Sequence, residues 1–257
     1  REIPCDVAIV CTGGLSYPST GSTGDGYRFA EKFGLKITPP RPALCGIDLK
    51  ENFYKEAQGL SLKNVALSAT VNGKKVYDEF GEMLFTHYGM SGPLILSASS
   101  LIRTFEPDRY EIQIDLKPGL DDKQLDARIL RDFSKYANRD FINALSDLLP
   151  KKMIPIIVYR SRIPAFTKVN SITKVQRRAL FEQIRCFSVP VDGFRPIEEA
   201  IVTAGGVSCR EINPRTMESK LCSGLYFAGE VLDVDGYTGG FNLQIAFSTG
   251  YAAGSSC

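Results

Sequence analysis

The 257 residues predict an α/β fold whose two ends belong together and bracket an insert, and three observations carry that reading. The stretch Ser219–Ala253 reads as a short apolar strand, a polar turn and a glycine-rich loop that runs into a helix. Near the other end a second apolar run, Val7–Cys11, stops at Thr12-Gly13-Gly14. Between them the pattern changes to alternation and then to helical periodicity. An apolar run without alternation suits a strand buried on both faces, as in a parallel sheet. Alternation suits a strand with one face on a core.

After the first strand comes LSYPSTGSTGDGYRFAEKFG, in which Gly21, Gly24 and Gly26 are spaced GxxGxG, the reverse of the dinucleotide fingerprint GxGxxG. The segment predicts a glycine-rich loop and a helix over Gly26–Phe33, with Asp25 as N-cap and Gly34 as the stop. It is either a capped turn or a loop that lets backbone approach a ligand closely. Thr38–Pro42, TPPRP, predicts a stiff break and the first domain boundary.

Beyond it, LSLKNVALSATVNGKKVYDEFGEMLF alternates around an Asn72-Gly73 hairpin turn with a second arm at Lys75–Phe80. YEIQIDL at 110–116 alternates as well, and Ser91-Gly92-Pro93 opens a helix to about Ile102, with Pro suited to the first turn. From Asp121 to Arg185 helical patterns follow at LDARILRDFSKYA, Phe141–Leu149, Met153–Tyr159 and VQRRALFEQIR, broken by Pro150, Pro155 and Pro164. RPIEEAIVTAGGV, 195–207, reads as another strand ending in Gly-Gly. The expected segments are 1–41 and 191–257 as one α/β domain, with 42–118 the β part and 119–190 the helical part of the insert.

Composition removes several classes of function. Net charge is +2, so nothing global points to nucleic acid or a membrane surface. No apolar run approaches the ~18–20 residues of a membrane-spanning helix, and no secretory signal is seen. The seven cysteines are scattered without CxxC or zinc spacing, which predicts reduced thiols, a cytoplasmic protein and no metal. Cys11 and Cys222 read as packing residues. With His87 the single histidine and no GxSxG, a multi-histidine metal site and a Ser-His-Asp hydrolase are both poorly supplied. Lysines and arginines at 151, 152, 160, 162, 168, 174, 177 and 178 read as a solvated helical face rather than a nucleic-acid surface, because no interleaved aromatic platform is evident.

The chemistry is expected at the C-terminal stretch. Leu225–Ala228 is the strand, Gly229-Glu230 closes it, and Asp233, Asp235 and Gly236 form a turn. Gly239-Gly240 then opens a helix over Phe241–Gly250, with Leu243, Ile245, Ala246 and Phe247 as its apolar positions. A loop delivering backbone N–H groups at a helix N-terminus is an anion site.

Four segments, TGGLSYPSTGSTGDGY (12–27), FTHYGMSGP (85–93), TAGGVSCREINPRTMESK (203–220) and GLYFAGEVLDVDGYTGGFNLQIAFSTG (224–250), resemble the HI0933/YhiN-type flavoproteins, also described as BaiN-like or aminoacetone-oxidase-like. The resemblance implies a three-layer, glutathione-reductase-type FAD-binding domain interrupted by an insert with an antiparallel β-barrel part and a small helical part. It implies FAD-dependent oxidoreductase chemistry, with hydride transfer at flavin N5, a small-molecule substrate and NAD(P)H as a candidate electron donor. Thr12-Gly13 stands for the family's strand-then-Ala-Thr-Gly motif, with Cys11 in place of Ala, and Gly14 follows. Gly229-Glu230 stands for its Gly-Asp motif, with Glu as acceptor for ribityl or ribose hydroxyls.

On that basis Asp233, Gly239, Gly240 and the free N–H groups of Phe241, Asn242 and Leu243 are expected at the pyrimidine edge, with Asn242 and Gln244 as further donors. Thr203, Gly205 and Gly206 are expected to line the ring, and Tyr17, Ser19 and Thr20 to approach it. His87 is the candidate acid/base, against a histidine satisfied by a backbone carbonyl. The family's GxGxxG unit for the pyrophosphate has no counterpart in the sequence. The chain is therefore expected to correspond to the C-terminal part of a family member and to hold flavin weakly. The competing expectation is a non-catalytic flavin-fold scaffold that binds through its basic helical insert.

Overall fold

The structure is a computed structural model that describes residues 3–102 and 109–257. In chain order its elements are β1 (Ala8–Val10), α1 (Asp25–Lys32), β2 (Ile37–Ala43), β3 (Ile47–Leu49), α2 (Tyr54–Ala57), β4 (Ser61–Val71), β5 (Lys74–Phe85), β6 (Gly89–Ser91), α3 (Pro93–Leu101), β7 (Tyr110–Asp115), α4 (Asp122–Lys135), α5 (Phe141–Ala144), α6 (Met153–Ser161), α7 (Lys174–Arg185), β8 (Phe187–Phe194), β9 (Val202–Val207), β10 (Leu225–Phe227) and α8 (Phe241–Gly254). They form two compact units: 1–46 with 194–257, and 47–193.

In the first unit β1 lies parallel to β10, Ala8 opposite Leu225 and Val10 opposite Phe227. β2 pairs antiparallel with β9. The core gathers Tyr27 and Ala30 of α1, Val207, Phe227, Val231 and Ala253. Three expectations change here. β1 is not buried on both faces, since Ile9 is exposed. TPPRP is not a break but lies within β2, because a register shift between Thr38 and Arg41 takes Pro39-Pro40 out of the ladder. A missing N–H is harmless at such a bulge on an edge strand. Finally, 195–207 is not one strand, because Ile197–Glu199 forms a 3-10 turn and β9 starts only at Val202.

The second unit is a closed six-stranded barrel in the order β3-β6-β5-β4-β7-β8, with four helices between its last two strands. Closure removes the exposed edges that an open sheet would present. The β4–β5 hairpin turns at Asn72 and Gly73 with φ of 52° and 75°, the two positive values a type I′ turn requires. Along β4 the buried positions run Leu62, Val65, Leu67 and Ala69. The three-residue step after Leu62 marks a bulge, with Asn64 left-handed at φ 57°, that resets the inward phase.

α4 and α7 each begin with a reciprocal capping box, Asp121 with Gln124 and Thr173 with Gln176. The helix expected over Phe141–Leu149 covers only Phe141–Ala144, after which Leu148 and Leu149 N–H groups both donate to the Leu145 carbonyl in a tight turn. Among the described residues no helix is long and apolar enough to cross a membrane.

Candidate functional site

In the first unit the paired strands β1 and β10 deliver their carboxyl ends side by side, tied by the Ala228 N–H to the Val10 carbonyl at 3.1 Å. Crevices outside the carboxyl ends of parallel strands are where open α/β sheets bind ligands. Thr12, Gly13 and Gly14 leave β1 at that edge, and Gly229 and Glu230 leave β10.

Thr203 of β9 joins the two turns. Its fully buried Oγ1 accepts from the N–H of Leu15 at 2.8 Å and of Ser16 at 3.1 Å, and lies 3.0 Å from Ser16 Oγ. Its own N–H donates to Glu230 Oε1 at 2.7 Å. Gly14 sits so close that an added Cβ would lie 2.4 Å from Thr203 Oγ1 and 2.9 Å from Glu230 Oε1. Gly13, at φ 72°, needs the left-handed backbone that glycine adopts freely. The structure thus brings Thr12, Gly13, Gly14, Thr203, Gly229 and Glu230 together.

Two buried hydroxyls at this place, those of Thr12 and Tyr27, have no hydrogen-bond partner among the described residues. An orphaned buried hydroxyl costs about 1–3 kcal/mol. Tyr27 feels the Glu230 charge: burial first, and that charge second, push its phenol up to about 12. Glu230 Oε1 accepts from the Thr203 N–H, and Oε2 has no hydrogen-bond partner among the described residues. A carboxylate held by one oxygen at the end of β10, beside the glycine turn after β1, suits a hydroxyl donor such as those of a ribityl chain.

The other candidates fall in different places. Gly205 and Gly206 serve packing, since an added Cβ would lie 2.5 Å from the Pro39 carbonyl oxygen and 2.6 Å from that of Val231, respectively. The Asp233 carboxylate accepts from Thr38 Oγ1 at 2.6 Å, which ties the following loop to β2. Gly239 and Gly240 both have positive φ, 109° and 92°, and α8 starts after Gly240 with no side-chain cap. The first-turn N–H groups of Phe241, Asn242 and Leu243 are therefore left open.

The Asn242 side chain is engaged instead in a two-way clamp. Its Oδ1 accepts from Gly236 N–H at 2.8 Å, and its Nδ2 donates to the Gly236 carbonyl at 2.9 Å. Gln244 Nε2 donates to Ser248 Oγ. Thr249 of α8 accepts from the Gly229 N–H at 2.9 Å and fixes that turn. Tyr17 is left-handed at φ 51° and heads the turn Pro18–Thr20, where Thr20 Oγ1 donates back to its carbonyl. His87 belongs to the second unit, exposed in the turn from β5 to β6, with its ring edge-on to Tyr88 at 5.0 Å. Tyr27, Ser16 and Thr249 were not among the expected site residues. Only the GxxGxG loop that positions Tyr27 carried a signal. Among the described residues no three His, Cys, Asp or Glu side chains gather in a metal-sized cluster.

Fold and site together define a mixed α/β protein whose paired parallel strands end side by side in glycine turns, its two segments interrupted by a closed β-barrel and a helical segment. The family model described as "HI0933-like protein barrel and H2TH domain" matches residues 41–202. The chain belongs to the HI0933-like family, as the four resembling segments implied. It is 33% identical over 250 residues to the ribosomal RNA dihydrouridine synthase of Escherichia coli (strain K12), covering 97% of this chain and 60% of that protein. It is 36% identical over 254 residues to the protein of the same name from Haemophilus influenzae, covering 98% and 60%. To the 3-dehydro-bile acid delta(4,6)-reductase of Clostridium scindens it is 31% identical over 257 residues, covering 99% and 62%. The chain spans about three fifths of the length of these relatives.

Proposed function

We propose that this chain supplies the ring-and-ribityl half of an FAD site in an oxidoreductase that saturates a carbon–carbon double bond conjugated to a carbonyl. The observation that carries the reading is Glu230, held through Oε1 by the Thr203 N–H at the end of β10, against the close-packed Gly14 turn after β1. The relatives' names support the reaction class, since dihydrouridine formation and delta(4,6) reduction both saturate such a bond. FAD, when bound, supplies the hydride at N5, and NAD(P)H is the proposed source of its electrons.

The chain's own residues do the rest. Glu230 would accept a ribityl hydroxyl through the oxygen that Thr203 does not hold. The open N–H groups at the start of α8 would offer partial positive charge to an anionic group bound there. His87, exposed in the second unit, is the proposed acid/base toward the substrate.

Because the sequence has no GxGxxG, riboflavin should bind this chain about as well as FAD does. Titration of the purified chain with each, read by quenching of flavin fluorescence, measures this. Glu230→Gln retains the bond from Thr203 and loses the charged acceptor, so affinity should fall about tenfold. Unchanged riboflavin affinity in that variant removes the proposed site. A His87→Gln protein with full turnover, in a form extended to the relatives' length, removes His87 from the mechanism.

A further inference from the structure

α8, FNLQIAFSTGYAAG, is a helix of 14 residues without a single charge. A helix apolar on all sides belongs inside a protein or a membrane. At 14 residues it is shorter than the ~20 needed to cross a bilayer. Within its own unit it uses only one side: Thr249 fixes the Gly229 turn and Ala253 enters the core. The other side stands open, with Leu243 64% exposed, Phe247 69% and Tyr251 79%. Steps of four residues set these three on one stripe. Gly250 and Gly254 border it, and an added Cβ on either would meet nothing within 4 Å.

The same unit has an open strand edge. β10 is engaged on both sides, by β1 on one and by residues 217–219 on the other, where the Ser219 N–H donates to the Leu225 carbonyl and the Phe227 N–H to that of Met217. Among the described residues β1 has β10 alone. The Ala8 N–H meets the Gly224 carbonyl at 2.9 Å, and the Val10 carbonyl meets the Ala228 N–H at 3.1 Å. Ile9, between them, therefore turns its N–H and carbonyl outward, where neither has a partner among the described residues. Its side chain is exposed too. Its register partner is Tyr226, whose hydroxyl donates to the Ser256 carbonyl just past α8. Register partners share a face of the sheet, so the Ile9 side chain lies on the side that α8 covers.

Parallel strands are joined by crossover helices and covered on both faces, and two strands alone make a marginal sheet. One kind of occupant answers the bare edge and the bare stripe together: a strand along β1 joined to a helix beside α8. A lipid surface fits poorly, because residues 229–257 hold three carboxylates and no lysine or arginine. The two relatives named alike have about two fifths of their length outside the match, which is chain enough for such a unit.

We infer that the outer edge of β1 and the stripe of Leu243, Phe247 and Tyr251 on α8 form one docking surface, and that its occupant is polypeptide from the part of the relatives' length that this chain does not span. A strand of that polypeptide runs parallel to β1 and pairs with Ile9, and a helix packs its apolar face on α8. The inference takes nothing from the flavin reading, only the relatives' length.

The test mixes the 257-residue chain with a second polypeptide, the part of the Haemophilus influenzae relative outside the 254-residue match. Calorimetry and light scattering should show a one-to-one complex. Leu243→Ser and Phe247→Ser should each weaken it about tenfold or more, since each removes a large apolar side chain from the contact. Val175→Ser, at an equally exposed position of α7 in the second unit, should leave it unchanged. Amide exchange at Ile9 should slow about tenfold in the complex, which reads the strand pairing separately from the helix contact. Melting curves of the chain alone should be the same for wild type and all three variants, because these side chains are exposed. No complex at about 50 μM, unchanged affinity in both α8 variants, or an Ile9 amide that exchanges equally fast in the complex overturns the surface. A chain that is a dimer by itself and becomes a monomer on Phe247→Ser overturns the occupant, since a second copy then covers the stripe. Sedimentation with phosphatidylglycerol vesicles that Phe247→Ser abolishes overturns it in favour of lipid. Riboflavin titration of the chain alone is read separately, so a failed complex leaves the flavin reading standing and a failed titration leaves this one.

Discussion

Thr203 is the residue whose replacement tests the site architecture most sharply. Its Oγ1 is the acceptor for two backbone N–H groups of the loop after β1, Leu15 and Ser16. Thr203→Val keeps the volume and removes that acceptor. An orphaned buried N–H costs about 1–3 kcal/mol, and the Leu15 group is partly open to water, so the total should be about 2–4 kcal/mol. Thr203→Ser keeps the oxygen and loses one methyl, worth about 1 kcal/mol. The order of stability is therefore wild type, then Ser, then Val, the reverse of what apolar packing alone dictates.

Two compact units make a single global unfolding energy ill-defined, so amide exchange of the loop is the better assay. Exchange at Leu15 and Ser16 should accelerate more than tenfold in Thr203→Val and much less in Thr203→Ser. Equal exchange in the two variants would refute the view that this hydroxyl organises the loop after β1.

Gly206→Ala should prevent the first unit from forming, because φ is 125° and the new Cβ would lie 2.6 Å from the Val231 carbonyl oxygen; loss of protection in β9 with β4–β5 still protected is the expected exchange pattern. Tyr27 sets a pH limit. Burial and the Glu230 charge push the folded phenol up to about 12 from an ordinary 10.0, so its neutral form favours the fold below pH 10, and that contribution is lost as pH rises from 10 through 12. Tyr27→Phe should flatten this alkaline decline while costing little at neutral pH, since its hydroxyl has no partner to lose. Tyrosinate absorbance and melting temperature followed together across that range check both statements.

Much of the frame could be read from local rules, and the exceptions have physical reasons. Asn72-Gly73 announced its hairpin because both residues accept positive φ, and Gly34, at φ 80°, ends α1 as expected. The prolines of β2 hid a strand, because a bulge on an edge strand tolerates what a central strand refuses. β8 was missed for a similar reason: Pro190 interrupts FSVPVDGF, yet that residue sits opposite Glu111 in the ladder. In the site, the glycine turns and Glu230 were visible as motifs. Thr203 read as a ring-lining residue, but its side chain is spent on two backbone amides. The unpaired Tyr27 hydroxyl could not be seen at all, because an orphaned group is defined by what surrounds it in space.

The position of β8 also bears on how the barrel assembles. β7 meets β8 at Ile114–Phe187, across a separation of about 70 residues that includes α4 to α7, whereas β4 and β5 meet across a two-residue turn. The hairpin can therefore form on the microsecond scale by itself. The last seam waits for four helices to shorten the path between its strands. Pulse-labelled refolding should show β4 and β5 protected early and β8 late. A substitution that weakens the Thr173 cap of α7 should slow the late phase alone, so a barrel of strands takes its folding rate from its helices.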